Sequence, residues 1–120
     1  MNLEAWLALL EKRHPQAIDL GLERCGRVYR QMNSPRPAKT VFTVAGTNGK
    51  GSTVAYIAAM GAASGLRCGT YTSPHIFKFN ERIKVRGQAV SDQTITDAFE
   101  QVESARGDIS LTYFEFTTLA

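Results

Sequence analysis

The sequence predicts an α/β fold whose mostly parallel sheet is flanked by helices. Three observations lead there. Thr40–Ala45 (TVFTVA) is a short β-branched and aromatic run of the kind that forms a buried strand. It leads directly into a glycine-rich loop, Gly46-Thr47-Asn48-Gly49-Lys50-Gly51-Ser52-Thr53, followed by a helical stretch over Val54–Ser64 whose alanines permit close packing. Residues 68–72 (CGTYT) then read as the next strand, and a strand–loop–helix–strand unit makes a parallel, right-handed crossover.

The other elements follow from periodicity and capping. Leu3, Trp6, Leu7 and Leu10 fall at helical spacing, which predicts an amphipathic helix over residues 3–13 ending before Pro15. Leu22, Cys25, Val28, Tyr29 and Met32 form a second stripe, closed by Asn33 and the Pro35/Pro37 pair. In Arg82–Val90, Ile83 and Val85 alternate with Arg82, Lys84 and Arg86, the pattern of a half-exposed strand with a turn at Gly87–Gln88. The three basic residues read as a solvated face. Ser91 is placed to cap a helix carrying Ile95, Ala98, Phe99 and Val102 on one face. Thr112 and Glu115 have capping-box spacing, so a helix starts near Tyr113. That short helix has nothing obvious to pack against, which suggests a fragment of a larger protein.

Composition narrows the class. Hydrophobic residues make up 43% and charged residues 21%, ordinary values for a globular domain. A net charge of +3 is too mild to argue for nucleic acid. Cys25 and Cys68 lie in no CxxC pair or Cys/His cluster, so they suggest small buried apolar residues in a reducing cytoplasm rather than a zinc site. The N-terminal apolar run carries Glu4 and breaks at Glu11, unlike a signal peptide, and no stretch has the length of a membrane span.

The chemistry concentrates in the loop. Phosphate needs convergent donors and little side-chain bulk. Glycines at 46, 49 and 51 let the backbone curl and present its N–H groups, and the following helix points its positive end at the same place. Lys50 adds a point charge, and Ser52 or Thr53 a hydroxyl for phosphate or magnesium. The general pattern GxxxxGK[ST] is not met: two residues separate Gly46 from Gly49, and Gly51 follows Lys50. The competing reading is a glycine-rich turn with a solvated lysine.

GTNGK is the form of this loop in the Mur ligase superfamily. The chain resembles one family within it, folylpolyglutamate synthase/dihydrofolate synthase of the bacterial bifunctional type. The resemblance is carried by Asp19-Leu-Gly-Leu-Glu-Arg24, Val44–Thr53, Tyr71-Thr-Ser-Pro-His75, Asn80-Glu-Arg-Ile83 and Leu111-Thr-Tyr-Phe-Glu-Phe116, which occur in family order.

That resemblance implies a cytoplasmic, monomeric ligase without nucleic-acid or membrane partners. It uses MgATP to phosphorylate a carboxylate, which the amine of L-glutamate then attacks, giving an amide, ADP and phosphate. The substrates are dihydropteroate, reduced folates, or both. Residues 1–38 would be a helical N-terminal segment and 39–120 the phosphate-loop core of an ATP-binding domain, incomplete at its C-terminal end and without the glutamate-binding domain. By the resemblance, Gly46–Thr53 hold ATP with Lys50 catalytic, and Ser73 ligates magnesium. Asp19, Leu20, Gly21 and Leu22, with Thr112, Tyr113, Phe114 and Glu115, contact the pteroate. The family's other metal ligands lie beyond these positions, so the 120 residues alone are expected to be inactive.

The residues themselves keep plainer alternatives open. Asp19 suits a helix N-cap, Phe114 and Phe116 a core, Glu115 a cap, and His75 a loop brace. A phosphate-loop kinase or switch is a rival, but the sequence has no acid at the end of a second apolar strand. A non-catalytic nucleotide-binding fragment is the other.

Overall fold

The computed structural model describes residues 1–14, 19 and 21–120. Leu20, expected to contact the pteroate, lies outside the described residues. The chain forms two compact units, one of residues 1–36 with 92–120 and the other of residues 37–91. The elements in order are α1 (Leu3–Arg13), α2 (Glu23–Met32), α3 (Lys50–Ala63), β1 (Gly69–Tyr71), a 3-10 turn (Phe79–Arg82), β2 (Ile83–Val85), β3 (Gln88–Ala89), α4 (Asp92–Arg106) and α5 (Tyr113–Leu119).

The first unit is helical. Asn2 caps α1 by accepting the Ala5 N–H at 2.8 Å. Leu3, Trp6 and Leu10 of α1 are buried, as are Ile95, Thr96, Phe99 and Val102 of α4 and Phe116 and Thr117 of α5. Trp6, Phe99 and Phe116 form an aromatic cluster: Phe99 lies edge-on to Trp6 at 5.8 Å and to Phe116 at 5.4 Å. The short α5 therefore does find partners, packing on α1, α2 and α4. Its sequence conceals this because its partners lie elsewhere in the chain, Phe116 meeting Trp6 of α1 and Phe99 of α4.

Arg13 grips Glu103 of α4 through both guanidinium nitrogens, at 2.9 and 2.7 Å, and Arg106 joins the same carboxylate. Burial alone would raise the Glu103 pKa, but the bonds to Arg13 and Arg106 outweigh it and hold the carboxyl below its ordinary value. The α2 stripe is narrower than its periodicity suggests, since only Val28 is fully buried and Leu22 and Tyr29 are exposed. Phe114, read as core, is 53% exposed because it stands one residue from the buried Glu115 on the outer side of α5.

The second unit holds a three-stranded sheet in the order β1-β2-β3. It is antiparallel throughout, with Gly69 facing Val85 and Tyr71 facing Ile83, and Lys84 facing Ala89. The expected parallel crossover is absent among the described residues. Thr40–Ala45 forms no ladder, because no strand lies beside it to accept its hydrogen bonds. Residues 83–89 instead fold back through Arg86 and Gly87, at φ 53° and 79°, the paired positive values of a tight hairpin. The turn thus falls one residue earlier than its glycine implied. Helix α3 starts at Lys50, inside the glycine-rich stretch, rather than at Val54.

Gly61 sets how closely α3 approaches the segment before β1. A Cβ there would sit 2.5 Å from the Cys68 Sγ, so the close approach requires glycine.

Two substitutions test this packing. Phe116→Ala lowers the unfolding free energy by about 3–5 kcal/mol, whereas Phe114→Ala changes it by no more than about 0.5 kcal/mol, read by chemical denaturation. Gly61→Ala costs about 1–3 kcal/mol, and trimming its neighbour in the Gly61→Ala/Cys68→Ala pair recovers most of that loss.

Candidate functional site

The glycine-rich loop is built by backbone geometry. Gly46 has φ 146° and Gly49 φ 78°, values that L side chains rarely adopt. Gly49 is the N-cap of α3 and offers no side chain to its first-turn amides. Those amides have no partners within a helix and carry its positive end. Gly46 through Thr53 are all exposed. The Lys50 ammonium donates back to the Gly46 carbonyl, closing the loop on itself, and the Thr53 hydroxyl donates to the Gly49 carbonyl at 2.9 Å. The arrangement presents backbone amides and an ammonium on one exposed turn, donors of the kind that phosphate oxygens accept from, while the Thr53 hydroxyl is committed to Gly49.

Ser73 is also exposed and precedes a cis peptide bond to Pro74. The next residues are fixed by one carboxylate. Glu81 accepts the backbone N–H groups of Ile76, Phe77 and Lys78 at 3.0, 3.0 and 2.8 Å. His75 braces the loop as its position suggested: its Nδ1 accepts the Arg82 Nε–H at 2.9 Å and its ring meets Phe79 edge-on. Arg82 therefore leaves the solvated face read for it. Its guanidinium also lies 5.3 Å above the Phe79 ring, because residues 79–82 form a 3-10 turn rather than strand. No group of three or more His, Cys, Asp or Glu among the described residues is arranged to hold a metal ion.

In the helical unit, the two segments flagged for pteroate are joined by a chain of polar contacts. Asp19 is not an N-cap; Leu22 occupies the cap of α2 without a side-chain bond. The Asp19 carboxylate instead meets His14 Nε2 at 3.0 Å and Arg24 Nη1 at 3.4 Å, and its carbonyl accepts from Arg24 Nη2 at 2.9 Å. Arg24 Nη2 also donates to Glu115 Oε2 at 2.8 Å. Glu115 completes the capping box, accepting the Thr112 N–H at 2.9 Å while the Thr112 hydroxyl accepts the Glu115 N–H at 3.1 Å.

These contacts divide the flagged residues. Thr112 and Glu115 are buried and committed to the helix start, Tyr113 is half-buried, and Gly21, Leu22 and Phe114 are exposed. His14 and Ser110 carry no sequence signal of a site role, and Arg24 carries only its place at the end of Asp19–Arg24. The Cys25 thiol is pushed up, first by burial and then by the Glu115 carboxylate, which makes it a poor nucleophile.

No family model matches the chain. A curated relative, the dihydrofolate synthase/folylpolyglutamate synthase of Escherichia coli strain K12, is 48% identical over 118 residues, covering 98% of this chain and 28% of the relative. A solved structure of the E. coli FolC protein in complex with DHPP and ADP superposes with a TM-score of 0.96 at 48% identity, over 99% of this chain and 29% of that one. The bifunctional folylpolyglutamate synthase/dihydrofolate synthase of Yersinia pestis CO92, complexed with AMPPNP and a manganese ion, gives 0.94 at 50% identity, over 99% and 29%.

The chain is thus an α/β segment of Mur-ligase-like type. It belongs to the dihydrofolate synthase/folylpolyglutamate synthase family and spans somewhat over a quarter of the length of the relatives it matches.

The Glu81 cap has a pH signature. Its backbone hydrogen bonds, those from Ile76 and Lys78 foremost, hold its pKa below the ordinary carboxylate value. A depressed folded pKa means that the cap is present at neutral pH and is lost as pH falls through that lowered value. The Ile76, Phe77 and Lys78 amide resonances are expected to titrate together below the ordinary glutamate range, and Glu81→Gln to abolish the common transition.

Proposed function

We propose that this chain is the nucleotide-binding beginning of an ATP-dependent carboxylate–amine ligase, joining L-glutamate to dihydropteroate, to reduced folates, or to both. The observation that carries the proposal is the turn formed by Gly46 and Gly49 at the start of α3, with Lys50 on it. Its donor set suits a triphosphate. The relatives' complexes with ADP and AMPPNP support the same reading.

The chemistry explains why a ligase needs such a turn. A carboxylate is a poor electrophile because its oxygen leaves badly. Attack of that oxygen on the γ-phosphorus, with departure of ADP, converts it to an acyl phosphate. The glutamate amine then attacks the acyl carbon, phosphate leaves, and the nitrogen gives up a proton. Charge builds on the phosphoryl oxygens during the first step. On this reading the amides at Asn48–Ser52 stabilise it from a turn that is already formed, and the Lys50 ammonium joins them by turning from the Gly46 carbonyl to the phosphoryl oxygens. A bound Mg2+ adds further neutralisation. Ser73 offers it one hydroxyl, and the remaining ligands belong to other segments of the whole protein, since a neutral hydroxyl alone is a weak magnesium ligand.

On this reading Gly21, Leu22, Tyr113 and Phe114 meet the pteroate through exposed or half-exposed surface, while Asp19 and Glu115 hold that surface in place. Thr40–Ala45 becomes a parallel strand when the rest of the ATP-binding domain lies beside it, covering the exposed Val41, Phe42, Tyr56 and Met60. No helix among the described residues is long and apolar enough to cross a membrane. The proposed enzyme works as a cytoplasmic monomer on small molecules.

A whole ligase carrying Lys50→Ala is expected to lose about a hundredfold or more in kcat/KM for ATP, with the KM for dihydropteroate little changed. Phosphate release dependent on ATP, glutamate and dihydropteroate reads both. Turnover by the 120 residues alone contradicts the division of labour proposed here, and an unaffected Lys50→Ala enzyme contradicts the role of the loop.

A further inference from the structure

The His14 side chain is 7% exposed and uses both ring nitrogens. Nδ1 lies 2.6 Å from the Ser110 Oγ and Nε2 lies 3.0 Å from the Asp19 Oδ2. These partners come from different parts of the chain. Ser110 lies just before α5, Asp19 just before α2, and His14 caps the end of α1 in an extended conformation.

The Asp19 residue is consequently held at three points. His14 takes one carboxylate oxygen, Arg24 faces the other at 3.4 Å, and Arg24 also binds the Asp19 carbonyl at 2.9 Å. Arg24 is rooted through Glu115 in the first turn of α5. His14 is rooted through Ser110 in the residues that lead into that turn. Two separate struts therefore tie Asp19 to the start of α5.

We infer that His14 is a positioning residue for the pterin-bearing substrate: through its Ser110–His14–Asp19 bridge it fixes Asp19, and with it Gly21 and Leu22, relative to Thr112–Glu115. The inference rests on the proposed pteroate role of those two segments. A flat, rigid substrate requires surfaces at a set separation, and a planar ring bonded at both ends resists rotation in a way that one flexible salt bridge does not. A neutral ring with its proton on Nε2 satisfies both neighbours, donating to Asp19 and accepting from the Ser110 hydroxyl. Neither contact touches the glycine-rich loop, so the effect leaves ATP binding unchanged.

The test is steady-state kinetics on the whole ligase. His14→Ala is expected to raise the KM for dihydropteroate about five- to tenfold, the size of one buried hydrogen bond, with kcat and the KM for ATP within about twofold of the parent. His14→Gln, which keeps a donor toward Asp19 but loses the contact with Ser110, recovers only part of the affinity. His14→Asn reaches Ser110 but not Asp19 and behaves like alanine.

A lowered melting temperature in all three variants with an unchanged dihydropteroate KM overturns the inference and leaves His14 a structural brace. Asp19→Ala separates the two levels. If it raises the dihydropteroate KM while His14→Ala does not, only the His14 inference fails. If Asp19→Ala itself has no effect on that KM, the pteroate reading of the segment fails as well. Should His14→Ala not fold, the contrast between Gln and Asn decides alone.

Discussion

The chemistry of this chain depends on a turn of backbone that few residue types can make. Gly46 and Gly49 hold φ values of 146° and 78°, and α3 begins at the very next residue, Lys50. Side chains at those two positions would strain the turn and lift the amides of the first helical turn away from a common focus. Helix polarity and the Lys50 charge act through this geometry, since partial charges on amides fall off within a single turn. The Glu81 carboxylate treats Ile76, Phe77 and Lys78 in the opposite sense, collecting backbone donors to fix a loop rather than exposing them. The same kind of donor is thus left exposed in one loop and used for rigidity in the other.

The helical unit uses charge differently. Asp19, Arg24 and Glu115 are half-buried or buried, and each contact satisfies a group that would otherwise be desolvated without compensation. Such a network adds little net stability but specifies one arrangement. Breaking it at one member leaves the others with unpaired charge. It stands beside the Trp6, Phe99 and Phe116 cluster, which supplies the apolar contact between α1, α4 and α5. Apolar packing brings the helices together, and the ionic chain fixes the loops at their ends.

Much of this was legible in the sequence where local rules decide. The spacing of Leu3, Trp6 and Leu10 gave α1 its length, and Thr112 with Glu115 gave α5 its first turn, because both are contacts within four residues. The glycine-rich loop was readable for the same reason. Thr40–Ala45 has strand composition, yet a strand exists only when another lies beside it, and the sheet that did form is antiparallel through the Arg86–Gly87 turn. The His14–Ser110 and Arg24–Glu115 contacts span 96 and 91 residues, so no window of sequence reveals them. Asp19 looked like a helix cap because a carboxylate before a helix usually is one. Two basic side chains five residues to either side, His14 and Arg24, took it instead, each anchored by a far-off partner.

The central claim is that the amides around Lys50 receive the terminal phosphates of a nucleotide. The most direct measurement is a crystal structure of the whole enzyme soaked with magnesium and a non-hydrolysable ATP analogue. The account predicts β- and γ-phosphate oxygens within hydrogen-bonding distance of the backbone N–H groups of residues 48–52, with the Lys50 ammonium turned from the Gly46 carbonyl to the phosphates. A nucleotide bound with its phosphates elsewhere, while Lys50 still donates to Gly46, would contradict it.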